Sequence, residues 1–263
     1  MKLKHQLGNQ LNFKDSPKRI ISLVPSQTEL LYDLGLEDSI VGITKFCVHP
    51  FHAKSTKKIV GGTKNIKLEK IKALNPDIIL CNKEENTKEI VESCQQICPV
   101  HVSDIITIED CLELINQYGQ LFNKRTNAQK IKDKIDFNLQ QFQTYIKDKQ
   151  TLKAAYFIWR DPWMVAASYT FINHLLALNK FENIFSNLKR YPEVDITKLR
   201  QEGDPEIVLL SSEPYPFKEE HAFEIGRHSH HAKTIFVNGE YFSWYGSRLI
   251  KAFDYFKQLR ERL

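Results

Sequence analysis

The chain has 263 residues, with 37 Lys and Arg against 32 Asp and Glu for a formal charge of +5, and at roughly 100–200 residues per domain it makes one large domain or two small ones. With 42% hydrophobic and 26% charged residues it has a globular composition, which excludes disorder, collagen and a membrane bundle. Its lysines are scattered among glutamates, without a basic stripe or an RNA-binding signature, and no nucleic-acid partner is expected.

The first ten residues carry charge but lack the apolar run of roughly 7–15 residues that a secretory signal peptide needs. On its face this predicts a cytoplasmic protein; a periplasmic or cell-surface one would need a further leader. Short β-branched runs then alternate with helical patterns. Residues 19–24 read as a strand, and a helix from Thr28 to Leu34 is closed by Gly35, with Ser26 and Glu29 as a capping box. Residues 40–44 and 77–81 give further strands. A helix over 68–74 stops at Asn75-Pro76, because proline cannot continue it. A helix at 86–97 and a strand at 100–102 complete the first half. Strands alternating with helices imply a parallel sheet covered on both faces.

The second half repeats this plan. The run from Lys70 through Pro76 to Leu80 resembles the run from Lys198 through Pro205 to Leu209, which places Glu84 opposite Glu213. Residues 19–24 correspond to 154–159, and 100–102 to 234–237. Between the halves, residues 127–149 contain no Gly or Pro, and Ile131, Ile135, Leu139, Phe142 and Ile146 form the stripe of one long amphipathic helix. Such a helix would span about 35 Å at 1.5 Å per residue. The expected architecture is therefore α/β: an N-terminal lobe (1–125), a connecting helix (126–149) and a C-terminal lobe (150–263), each lobe a mostly parallel sheet flanked by helices. A rigid clamp, monomeric, is expected.

Ligands of parallel sheets sit beyond the carboxyl ends of the strands, often in a cleft between domains. That rule nominates loops holding Pro25, Ser26 and Gln27, then Phe46 and His49, then Gly61, Gly62 and Thr63, then Glu84 and Glu85. From the second half it nominates Trp159 and Trp163, then Glu213 and Tyr215, then Trp244. All three tryptophans fall in these loops, which with Tyr215 suggests an apolar wall for a planar or bulky ligand; the alternative for each ring is a core plug. Glu84, Glu85, Glu213 and Arg248 are the candidate polar anchors, although Arg248 could instead cap its helix or pair with Asp254. Gly61-Gly62-Thr63 is too short for a phosphate loop and reads as a turn bringing backbone close to a ligand. His49 could be a weak metal ligand or a hydrogen-bonding residue before Pro50. His228, His230 and His231 read as either a polar surface loop or a metal cluster. Five cysteines, all in the first half, are expected as reduced thiols. No elbow or zinc-protease motif is present, so no catalytic residue is assigned.

In this order and spacing, Arg19-Ile20-Ile21-Ser22-Leu23-Val24-Pro25-Ser26, Val41-Gly42-Ile43-Thr44, Val60-Gly61-Gly62-Thr63, Leu68-Glu69-Lys70-Ile71 and Asn75-Pro76-Asp77-Ile78-Ile79-Leu80 resemble the cobalamin and iron-chelate substrate-binding proteins of ABC importers. The resemblance implies a rigid two-lobed protein that holds a metal chelate or corrinoid-like ligand between its lobes, without catalysis and without a required cofactor. It places an aromatic contact at Phe46 and His49, and puts Thr63 where cobalamin binders carry an aromatic. It implies that Glu69 docks onto a membrane permease, with Thr197 at the matching place in the second lobe. The alternative is a cytoplasmic enzyme handling a metal or tetrapyrrole, with His49 as metal ligand and Glu84 and Glu85 as proton acceptors.

Overall fold

The computed structural model describes residues 2–4, 6–8, 10–229 and 231–263; His230 of the histidine cluster lies outside the described residues. Strands β1 (Lys2–Lys4) and β2 (Gln10–Asn12) pair antiparallel. The runs read as strands then build a parallel sheet from β3 (Ile20–Ser22), β4 (Ile40–Ile43), β5 (Lys58–Ile59), β6 (Ile78–Asn82) and β7 (Val100–Ser103), in the order β5-β4-β3-β6-β7. Successive side chains face opposite sides, and both sides are buried, hence the nearly unbroken apolar runs. On one face Ile21, Leu23, Ile79, Cys81, Val100 and Val102 pack with Ile71, Ile90 and Cys94 from helices Leu68–Ala73 and Lys88–Gln95. On the other, His101 meets Tyr118 of helix Ile108–Leu121 edge-on, with ring centroids 5.2 Å apart.

A second sheet comprises β8 (Leu152–Trp159), β9 (Met164–Val165), β10 (Phe181–Asn183), β11 (Ile207–Ser211) and β12 (Lys233–Val237). Its parallel order is β10-β8-β11-β12, and β9 pairs antiparallel with the end of β8, Trp159 opposite Met164. Ala155, Phe157, Val208 and Leu210 face a core with Phe185, Leu199, Phe217 and Ile225. From the other face Tyr156 meets Phe242 at 5.2 Å, which in turn meets Phe256 at 4.9 Å. The repeat read from the sequence is present: β3, β6 and β7 are neighbours in one sheet as β8, β11 and β12 are in the other. In each sheet the chain adds strands first to one side of the leading strand and then to the other. The crevices beside β3 and β8 are thus topological switch points, where parallel sheets bind ligands at carboxyl ends.

The chain divides into two compact units, one of Met1–Ile105, Glu109–Asp136 and Tyr245–Ile250, the other of Ile106–Ile108, Phe137–Trp244 and Lys251–Leu263. The long helix is Arg125–Ile146, 22 residues beginning in the first unit and ending in the second. Ile131, Ile135, Phe142 and Ile146 of its stripe are buried, and Leu139 is half-buried. Among the described residues no helix is long and apolar enough to cross a membrane.

The first helix starts earlier than its sequence suggests. The first helix is Pro25–Asp33, with Pro25 at its first positions and Val24 as a cap without a side-chain hydrogen bond. Proline is tolerated there because its missing N–H has no helical partner to lose. Ser26 and Glu29 therefore form no capping box, and Pro25, Ser26 and Gln27 are buried in the first turn rather than exposed in a loop. Gly61 brings backbone close to its own chain. At φ +127°, a Cβ would lie 2.5 Å from the Asn65 carbonyl oxygen and 2.7 Å from the Ile66 Cα. Substituting Gly61→Ala should therefore destabilise the first unit by at least about 1–3 kcal/mol, the usual range for a disfavoured backbone conformation, read as a lower denaturant midpoint at unchanged slope.

Candidate functional site

In the first unit, three loops at the carboxyl ends of β4, β5 and β6 collect the candidates. Phe46 follows β4 and is 49% exposed, with the Lys45 ammonium 4.9 Å from its ring centroid. Its ring edge lies 3.1 Å from where a Cβ on Gly62 would sit, so a glycine there lets the aromatic settle beside the Thr63 loop. After β6, Asn82 Oδ1 accepts from the backbone N–H groups of Glu84 (2.8 Å) and Glu85 (3.2 Å), a side-chain-templated turn. Asn86 Nδ2 donates to the Thr63 carbonyl at 3.0 Å, and the Lys64 ammonium donates to the Glu84 carbonyl. Backbone-directed bonds thus gather Thr63, Glu84 and Glu85, both carboxylates half-buried, while Phe46 packs against Gly62 next to Thr63. His49, also half-buried, lies close enough to Glu29 to draw that carboxyl's pKa down. Phe51, 96% exposed just after it, was not among the sequence candidates.

Below these loops lies a buried polar network that the sequence did not announce. Gln27 donates through Nε2 to Ser103 Oγ (2.7 Å) and Tyr245 Oη (2.9 Å), and its Oε1 accepts from the Tyr118 hydroxyl (2.8 Å). Burial pushes both phenols up, so they stay neutral. Arg248 is a correction to the anchor set. Its Nε donates to Glu29 Oε2 at 2.9 Å, and the two side chains are only 6% and 12% exposed. It faces Glu29 and is buried from solvent. Burial raises the Glu29 pKa above the ordinary carboxylate value, while Arg248 and His49 pull it back down.

In the second unit the three tryptophans separate. Trp159, at the end of β8, is 38% exposed and meets Tyr215 edge-on at 5.5 Å. Trp163 is half-buried against the core, stacked on Phe217 at 5.8 Å with the Arg160 guanidinium 5.6 Å from its ring. Arg160 is itself held by Glu224 at 3.0 Å and Asp161 at 2.7 Å. Trp244 is buried, and its indole N–H donates to Glu213 Oε1 at 2.8 Å, where the Ser243 hydroxyl also donates at 2.7 Å. Trp244 is therefore a core plug, not wall, and Glu213 is occupied in holding it. Of the expected wall in this unit, Trp159 is exposed, and Tyr215 lies half-buried at its edge against the core. Tyr215 Oη in turn meets His221 Nε2 at 3.1 Å, a contact no motif signalled.

Glu69 is exposed in the first turn of its helix, paired with Lys72 at 3.0 Å. In the second unit Thr197 donates its N–H (3.0 Å) and hydroxyl (2.7 Å) to Asp195 Oδ1, and these bonds hold that exposed carboxyl below its usual range. All five cysteines are free. Burial pushes the Cys98 and Cys111 thiols up to about 12, which leaves them inert near neutrality. Among the described residues no group of three or more His, Cys, Asp or Glu side chains could hold a metal ion.

The geometry, two repeated parallel sheets with candidate loops at the strands' carboxyl ends, matches known proteins. The family model for periplasmic binding proteins matches residues 20–236. The chain belongs to that family. The chain is 30% identical over 200 residues to a vitamin B12-binding protein of Vibrio parahaemolyticus, covering 74% of this chain and 70% of that one. Among solved structures it resembles the periplasmic vitamin B12 binding protein of Vibrio cholerae, with a TM-score of 0.79 and 22% identity over 94% of this chain and 99% of that one. A periplasmic heme binding protein of Pseudomonas aeruginosa gives a TM-score of 0.80 at 17% identity, with 92% of each chain covered. As a member of this family the chain is a binding protein and not an enzyme, and the tetrapyrrole-handling enzyme considered above is set aside.

Proposed function

We propose that this protein binds a corrinoid or a comparable metal chelate as cargo, not as a cofactor, and delivers it to an ABC importer. The observation that carries the reading is the exposed Trp159 ring at the carboxyl end of β8, edged by half-buried Tyr215 from the loop after β11, in a member of the periplasmic binding protein family. Flat aromatic faces beside a switch point suit a planar, largely apolar ligand. On the first unit, Phe46 supplies a further exposed ring, and Glu84 and Glu85 supply half-buried polar groups from the turn after β6. The similarity to vitamin B12-binding and heme-binding proteins supports the same ligand class. Relatives described as periplasmic support a place outside the cytoplasmic membrane. Glu69 is the first docking carboxylate for the permease, and Asp195, bonded to Thr197, stands in for the second.

The test is tryptophan fluorescence during titration with cobalamin, cobinamide and heme at micromolar protein. Saturable quenching by at least one of them, reduced at least about threefold in amplitude in Trp159→Phe, is expected; quenching by none overturns the reading.

A further inference from the structure

Helix Glu219–Gly226 begins without a Ser, Thr, Asp or Asn at its cap, Lys218 standing there instead. Its third residue compensates: the backbone N–H of Lys218 donates to His221 Nδ1 at 2.8 Å, the reciprocal half of a capping box. That single bond decides the protonation of the ring. A neutral imidazole has one donor and one acceptor nitrogen, and an Nδ1 that accepts from a backbone N–H carries no proton. The proton is therefore on Nε2. An imidazolium would point a second N–H at the Lys218 N–H, which this contact does not allow.

The consequence falls on Tyr215. Its hydroxyl lies 3.1 Å from His221 Nε2, and with the proton on Nε2 the imidazole donates and the phenol oxygen accepts. The phenol keeps its own proton, and among the described residues no protein acceptor takes it. His221 is well placed to impose this arrangement. It is buried, and it is hemmed in by Tyr215, Phe217 and Trp163 at ring centroid distances of 5.3, 5.6 and 6.4 Å, with the Glu220 carboxylate 3.7 Å from Nε2. Tyr215 is half-buried and carries the exposed indole of Trp159 on its edge.

We infer that His221 is a positioning residue that sets the Tyr215 hydroxyl as a hydrogen-bond donor to a carbonyl or carboxylate oxygen on the rim of the bound ligand. The assignment rests on the reading that the Trp159 and Tyr215 pair contacts cargo, and it adds to that reading a directed polar contact. An amide-bearing corrinoid and a carboxylate-bearing heme both offer the required acceptor; a ligand with an all-alkyl rim does not.

The tautomer is tested first, in the ligand-free protein, by a long-range proton–nitrogen spectrum of the histidine rings near neutral pH, with His221 assigned by its loss in His221→Asn. A protonated Nε2 and bare Nδ1 are expected; the reverse tautomer, or a doubly protonated ring, overturns the assignment. Affinity for cobinamide and for heme is then measured in the wild type, His221→Asn, Tyr215→Phe and the double variant. Asn keeps an acceptor for the Lys218 N–H but does not reach Tyr215, and Phe keeps the edge contact with Trp159. Each single variant should weaken binding about five- to tenfold, the worth of one hydrogen bond, and the double variant no further, because both remove the same contact. Wild-type affinity in Tyr215→Phe, or additive losses in the double variant, overturns the inference while leaving the binding function intact. A wild type that binds neither probe overturns the proposed function instead, and the ligand contact with it. Should His221→Asn fail to fold, Tyr215→Phe decides on affinity, and the wild-type spectrum shows whether any histidine ring holds the bare-Nδ1 form.

Discussion

Arg248→Met should destabilise the first unit by about 3–5 kcal/mol, the cost of leaving a buried carboxylate without its partner. The side chain lies against Glu29 at 2.9 Å with little solvent around either group. The double variant Glu29→Gln, Arg248→Met should recover most of that loss, since a neutral pair has no stranded charge. Acidity distinguishes this mechanism from simple loss of packing. Burial raises the Glu29 pKa in the folded protein above the ordinary carboxylate value of 4.5, so the folded state holds this proton more tightly than the unfolded chain. The stability it contributes is fully present below about pH 4.5 and falls as pH rises through the raised folded value. Removing Arg248 takes away a group that pulls the pKa down, so the decline in Arg248→Met should be steeper and extend to higher pH. Denaturant midpoints between pH 4 and 8 measure both slopes, and equal slopes in wild type and variant would contradict the ion-pair account.

The second large effect is at Trp244, expected to cost about 3–5 kcal/mol on replacement by Ala, as for other buried large aromatics. Its indole is buried and its N–H satisfies Glu213, so truncation leaves both a cavity and a carboxylate short of one donor. Trp159→Ala should behave in the opposite way. That ring is 38% exposed, and its loss should leave the unfolding midpoint nearly unchanged while ligand affinity falls. Thermal unfolding and ligand titration on the two variants give a crossed result, with stability lost in one and binding in the other. If Trp244→Ala were stable but unable to bind, its assignment to the core would be wrong.

These two cases show what was legible in the sequence. Strand runs such as Ile78-Ile79-Leu80 and Ile207-Val208-Leu209 announce themselves because a parallel sheet buried on both faces demands unbroken apolar stretches. Their repetition about the two prolines, Pro76 and Pro205, exposed the duplicated topology. The stripe from Ile131 to Ile146 gave away the long helix for the same reason, a local period reporting a local structure. Pairings made across the chain left no such trace. Glu29 and Arg248 are 219 positions apart, and Ser26 with Glu29 imitates a capping box closely enough to hide the carboxylate's burial. One hint was available: residues 25–31 of the first helix are all buried, and a glutamate beside Leu30 and Leu31 needs a buried partner. Trp159 and Trp244 look alike as loop aromatics, and only Glu213, folded back onto the second of them, makes one a plug and leaves the other outside. His221 gave no signal, since its role depends on which of its nitrogens faces the Lys218 backbone.

The most direct check on a carrier of planar metal complexes is the visible spectrum of the ligand itself. Cobalamin, cobinamide and heme are each titrated with the wild-type protein, and free ligand is then separated by gel filtration. The account predicts a saturable change in the visible bands of at least one of them and colour that elutes with the protein. Unchanged spectra for all three, with every ligand eluting free, would contradict it.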